Sequence, residues 1–146
     1  MRVLVTGGRD FALPDEVHRI LFTIHQAWTI EELGHGDADG LDKLAQLWAL
    51  RFGIVTAEYE VTQHQWDLYG GRAGNMRNSR MLRHFKPDLG VAFPGGNGTK
   101  DMREKLIAAG IPTFVGYCAG GIVKPDGTAI TTKIDWTLFN GKSNGR

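Results

Sequence analysis

Phe93-Pro94-Gly95-Gly96-Asn97-Gly98-Thr99-Lys100-Asp101-Met102 joins an apolar run to an amphipathic one, and its reading decides the fold. Leu89 to Phe93 is apolar enough for a buried parallel strand, and Pro94, with no N–H to give a ladder, ends it. Gly95, Gly96 and Gly98 let the main chain turn tightly and present bare amides. Thr99 is suited either to cap the helix that follows or to give its hydroxyl to a phosphate oxygen, because a helix start carries partial positive charge and unpaired N–H groups. Many strand-to-helix glycine turns bind nothing. Two further turns of the same build elsewhere in the chain raise the odds for this one.

The first is Gly7-Gly8-Arg9-Asp10, which follows the β-branched-rich run Arg2 to Thr6. A first strand ending in such a turn lies where ligands collect in an open α/β sheet. Arg9 suits a phosphate, and Asp10 suits a ribose hydroxyl or a helix cap. Pro14 to Trp28 carries a helical stripe of Val17, Ile20, Leu21, Ile24 and Trp28, with His18 and His25 reading as surface residues rather than metal ligands. Glu31 to Gly34 reads as a second strand opening into His35-Gly36-Asp37-Ala38-Asp39-Gly40-Leu41-Asp42, the third such turn, with a helix beyond it through Leu44, Leu47, Trp48 and Phe52. Asp37 and Asp39 have the spacing of a calcium loop, but the rest of that pattern is missing. One of the three aspartates reads as a helix cap, and the surplus carboxylates suit ribose hydroxyls.

Ile54 to Val61 alternates as a third strand, and Thr62 to Asn75 reads as a long functional loop in which Trp66 and Tyr69 either stack on a purine or pin the loop to the domain. From Asn75 a helix is expected, with Met76, Leu82 and Phe85 apolar and with Arg77 and Arg80 sharing a face near its start, where arginine asks for an anion or a carboxylate. Met102, Leu106, Ile107 and Ala109 form the buried face of the next helix, and Pro112 to Tyr117 makes a fifth strand. Val123 to Ile130, around Pro125-Asp126-Gly127, reads as a terminal hairpin that adds an antiparallel edge or a dimer contact.

This alternation predicts a three-layer, doubly wound α/β fold with a mostly parallel five-stranded sheet and a C-terminal β-hairpin. Residues 1–120 form the Rossmann-like domain, and residues 121–146 the hairpin and a polar tail. At 146 residues the chain builds one core. Its 17 basic and 16 acidic residues leave a net charge of +1, which argues against nucleic acid and anionic membranes as partners. The lone cysteine, Cys118, reads as a small core residue in a reducing cytoplasm. No stretch reads as a signal peptide or membrane span.

Taken jointly, Thr6-Gly7-Gly8-Arg9-Asp10-Phe11, His35-Gly36-Asp37-Ala38 with Asp42, Trp66 and Tyr69-Gly70, Ala73-Gly74 with Arg77-Asn78 and Met81-Leu82, and Pro94-Gly95-Gly96 with Gly98-Thr99 and Asp101-Met102 resemble the YspA-type branch of the SLOG superfamily. The resemblance runs in order from residue 2 to residue 117. It implies a site for a nucleotide or nucleotide-derived ligand, with Gly95, Gly96, Gly98 and Thr99 on a phosphate, Arg77 nearby, and Gly36, Asn78 and Pro94 within the motifs. The superfamily also holds the Lonely Guy enzymes, whose pattern Pro-Gly-Gly-x-Gly-Thr-x-x-Glu places a catalytic glutamate where this chain has Met102. Asp101, one residue earlier, is rotated by about 100° around a helix.

Three functions follow from the resemblance. One is a binding module for a nucleotide-like ligand. Another is a phosphoribohydrolase cleaving the base–ribose bond, with Asp101 and Asp37 as its candidate carboxylates and Asp39 behind them. The weakest is a single-stranded nucleic-acid binder like DprA. None calls for a metal or a cofactor, and a homodimer is the expected assembly.

Overall fold

The computed structural model describes residues 1–115, 121–123 and 129–130. Two strands with almost no solvent contact lie at the middle of the sheet, β1 (Arg2–Thr6) and β4 (Leu89–Ala92). On the β1 side lie β2 (Glu32–His35) and then β3 (Val55–Glu58), and beyond β4 lies β5 (Thr113–Val115), all parallel to their neighbours. Two short strands, β6 (Gly121–Val123) and β7 (Ala129–Ile130), continue the sheet antiparallel, giving the order β3-β2-β1-β4-β5-β6-β7. The chain leaves β1 toward one side of the sheet and returns at β4 on the other, so the crevice between their carboxyl ends is the switch point where such sheets receive ligands.

The period-two alternation of β1 divides the core. Val3 and Val5 face one layer with Leu33, Val91, Phe93 and Phe114, covered by α1 (Pro14–Trp28) and α2 (Leu41–Arg51). Leu4 faces the other, with Met81 and Phe85 from α4 (Arg72–Phe85) and Met102 and Leu106 from α5 (Asn97–Ala108). The doubly wound α/β architecture is therefore the one expected. Cys118, the Pro125-Asp126-Gly127 turn and the tail lie outside the described residues.

The structure departs from the sequence reading in several places. The stretch read as a loop from Thr62 holds a helix, α3 (Gln63–Tyr69), and α4 begins at Arg72 rather than Asn75. The cause is a capping box: Thr62 Oγ1 accepts the Gln65 N–H at 3.2 Å, and Gln65 Oε1 accepts the Thr62 N–H at 2.9 Å. β2 ends at His35, and β3 stops at Glu58 as a half-exposed edge strand. Ala109, expected on a buried face, is exposed, as are the apolar residues Leu47 and Met76; their helices pack through Met102 and Leu106, through Ala45 and Trp48, and through Ala73 and Met81 respectively.

The turns after β1, β2 and β4 touch one another. The Gly8 N–H donates to Pro94 O at 2.9 Å, and Gly8 O accepts the N–H groups of Leu41 at 3.1 Å and Phe11 at 3.2 Å. Gly40, at φ +74°, fits because a Cβ there would collide with the carbonyl oxygens of Gly8 and Arg9. Gly40→Ala is expected to lower stability by about 2–4 kcal/mol in urea unfolding, combining left-handed strain with a backbone clash. Gly71→Ala, where a Cβ meets nothing within 4 Å, is expected to change stability by less than about 1 kcal/mol.

Candidate functional site

A cleft of about 600 Å³ opens at the switch point. One wall is the β1 turn from Thr6 to Asp10, the opposite wall is Gly96 to Thr99, and Trp66, Gly74, Asn75, Arg77 and Asn78 close the side. Of the residues nominated from sequence, Gly7, Gly8, Arg9, Asp10, Trp66, Arg77, Asn78, Gly96, Gly98 and Thr99 meet here. Gly36, Asp37 and Asp39 line a recess of about 130 Å³ that shares Arg9, Trp66 and Arg77 with the cleft. Pro94 and Gly95 line a neighbouring hollow with Lys100 and Arg103, which shares Gly96, Asn97 and Thr99 with the cleft. Arg80 is elsewhere: its guanidinium donates to Glu60 O at 3.1 Å, in a groove with Glu58, Tyr59 and His84. Tyr69 and Asp101 are not on the cleft wall.

The first turn of α5 is the anion-binding element of the cleft. Gly96, not Thr99, occupies the N-cap, and no side chain of the described residues caps the helix. Thr99 falls within the first turn because the helix begins at Asn97, and it is buried with its hydroxyl against Gly95. Lys100 makes the first intrahelical bond, to Gly96 O at 3.0 Å. The amides of Asn97, Gly98 and Thr99 thus find no acceptor among the described residues.

Side chains of α4 hold this turn in place. Asn78 is buried and donates to Gly98 O and Asp101 Oδ2, each at 3.1 Å, while its Oδ1 accepts from Arg77 Nε at 3.0 Å. Arg77 Nη1 donates to Gly36 O at 2.5 Å and Tyr59 O at 3.2 Å. Burial lowers the Arg77 pKa, yet a guanidinium remains cationic at physiological pH. Arg9 is exposed, its guanidinium 5.4 Å from the centre of the Trp66 ring, so Trp66 organises a cation at the mouth of the cleft.

Both carboxylates nominated for catalysis are ion-paired. Asp37, at φ +54°, contacts Lys43 Nζ at 2.6 Å, and Asp101 contacts Lys105 Nζ at 2.6 Å. Asp42, one of the three aspartates read in the turn after β2, was not nominated for a role of its own. It is 5% exposed, and its Oδ2 accepts the N–H groups of Gly36 and Ala38 at 3.2 Å each. Its Oδ1 has no partner among the described residues, and the residue lies on the cleft wall. Desolvation raises its pKa to about 6 against the backbone hydrogen bonds and the Arg77 charge. A signal was present: Asp42 stands on the apolar face that α2 builds from Leu41, Ala45 and Trp48.

His35, fully buried, accepts the Asp37 N–H at Nδ1 at 3.0 Å, and burial lowers its pKa. Among the described residues no group of three or more His, Cys, Asp or Glu is placed to hold a metal ion, and no helix is long and apolar enough to cross a membrane.

Residues 1–65 match the YspA, cpYpsA-related SLOG family. The gene 61 protein of Mycobacterium phage D29 is 34% identical over 127 residues, covering 77% of this chain and 94% of the phage protein. No solved structure matches the chain.

The Asp42 carboxyl has a direct consequence for stability. Its folded-state pKa lies above the ordinary aspartate value of 3.8, so folding takes up a proton. This contribution is complete below about pH 3.8 and is lost as the pH rises through about 6. His35 slopes the opposite way, its contribution being complete above pH 6.5 and lost on acidification. Asp42→Asn retains an oxygen for the two amides and removes the charge. It is expected to stabilise the unliganded protein at pH 8 by about 1–3 kcal/mol and to be near neutral at pH 4, read from urea melts.

Proposed function

Because the chain belongs to the YspA, cpYpsA-related SLOG family, we propose that its cleft binds a phosphorylated, nucleotide-like small molecule and holds it without turnover. The observation that carries this reading is the first turn of α5, whose amides at Asn97, Gly98 and Thr99 find no acceptor among the described residues, in a segment that forms one wall of a cleft that also contains Arg77 and Arg9. Unpaired amides and a helix dipole favour an anion, and two guanidinium groups add to the same preference. The Trp66 ring and the main-chain walls leave room beside the phosphate position for a base and sugar, in a volume suited to a small ligand.

Cleavage of the base–ribose bond would need a carboxylate free to stabilise the developing cation or to activate water. Asp37 and Asp101, the two carboxylates nominated for that role, are each paired with a lysine, Met102 has no charge to offer, and Asp42 spends one carboxyl oxygen on the Gly36 and Ala38 amides. These pairings weigh toward binding over hydrolysis.

Calorimetry with AMP, ADP, NAD, ADP-ribose and adenosine tests the reading, with chromatography of the recovered ligands. At least one phosphorylated compound is expected to bind ten times more tightly than adenosine and to be recovered intact. Arg9→Ala is expected to weaken that binding about tenfold, the scale of one charged hydrogen bond. Adenosine binding as tightly as every phosphorylated compound would contradict the anion site, and release of free base would replace binding by hydrolysis.

A further inference from the structure

We propose that Asp42 accepts a hydrogen bond from a ribose hydroxyl of the bound nucleotide, making the cleft selective for ribonucleotides over deoxyribonucleotides. This deepens the nucleotide reading above and rests on it. The argument begins with the two oxygens of the carboxyl. Oδ2 accepts the Gly36 and Ala38 amides, whereas Oδ1 is buried and has no partner among the described residues, in a residue that lines the cleft. Buried polar atoms in folded proteins nearly always have a partner, and the exceptions call for an explanation. A ligand that fills the cleft supplies one.

The surroundings select the chemistry of that partner. Arg77 belongs to the same network, since Gly36 gives its N–H to Asp42 and its carbonyl oxygen to Arg77. With Arg77 and the exposed Arg9 on the cleft wall, an approaching cation is repelled. An anion is repelled by Asp42 itself. A neutral donor meets neither penalty, and on a nucleotide the sugar hydroxyls are neutral donors adjacent to the phosphate. Asp37 cannot take this role as readily because Lys43 holds its carboxylate, and Asp39 is exposed to water that would compete for the bond. A site built around a hydroxyl strongly rejects an analogue that lacks it, because the buried acceptor is then left bare.

The charged and titratable groups around Asp42 are His35 and Asp37 from the β2 turn, Lys43 on α2, Arg77 on α4, and Arg9 and Asp10 from the β1 turn. The ionised carboxylate is the stronger acceptor, so discrimination should be greater at pH 8 than at pH 5. The phosphate titrates alike in ribo and deoxy ligands and cancels in their ratio.

The test is calorimetry of AMP, 2′-deoxy-AMP and 3′-deoxy-AMP against the wild-type protein and Asp42→Asn, at pH 8 and pH 5, with thermal melts confirming that the variant is folded. In the wild type at pH 8, AMP is expected to bind at least tenfold more tightly than one of the deoxy compounds, with a smaller ratio at pH 5. In Asp42→Asn, where an amide NH₂ can take the open position, the ratio is expected to fall to threefold or less at both pH values. Equal binding of all three compounds by the wild type would overturn the proposal and leave the nucleotide reading standing. So would a ratio that survives unchanged in the folded variant. Failure of every compound to bind would overturn the nucleotide reading, and this proposal with it.

Discussion

The main chain of Gly8 is the joint on which the site depends. Its N–H is spent on Pro94 O and its carbonyl oxygen on Leu41 and Phe11, so a single peptide neighbourhood fixes the turns after β1, β2 and β4 relative to one another. None of these turns could make a cleft alone. Their mutual approach requires residues without Cβ atoms at Gly7, where Leu41 would intervene, at Gly40, where the Gly8 and Arg9 carbonyls would, and at Gly95, where Thr99 and the Gly8 nitrogen would. The glycines therefore serve closeness first. At the start of α5 no side chain of the described residues caps the helix, which leaves its first amides to a ligand.

A second layer of order comes from buried polar groups that hold loops rather than bind ligands. Asn78 fastens α4 to the first turn of α5, and Arg77 fastens α4 to the turn after β2. Both were nominated as ligand contacts, and both line the cleft, but their hydrogen bonds go to other groups of the protein. Asp42 differs in having one oxygen left over. Keeping an ionisable group buried and half-paired costs stability at neutral pH, and residues retained at such a cost are commonly functional.

The sheet was legible because parallel strands buried on both faces read as short apolar runs, and β1, β4 and α1 stand where the pattern put them. The cleft's glycines and Arg9 were legible for the same reason, since turns at strand ends follow from topology. What the pattern hid was α3, whose polar and aromatic composition resembles a loop until the Thr62–Gln65 reciprocal cap is noticed. Side-chain pairing was hidden too. The partners Asp101–Lys105 and Lys43–Asp37 are close in sequence, yet nothing in spacing alone distinguishes a paired carboxylate from a free one. Arg77 and Arg80, three residues apart on one helix, diverge because the first turns in under the β2 turn while the second reaches the Glu60 carbonyl.

The central claim is that an anion is held by the main-chain amides at the start of α5. Two-dimensional ¹H–¹⁵N NMR of the labelled protein, titrated with AMP, addresses it directly. Saturable downfield shifts of the Gly98 and Thr99 amide protons, accompanied by the Trp66 indole resonance, are the expected result. Shifts confined to the hollow of Lys100 and Arg103, or to the groove of Arg80 and His84, with the Gly98 and Thr99 amides unmoved, would contradict it.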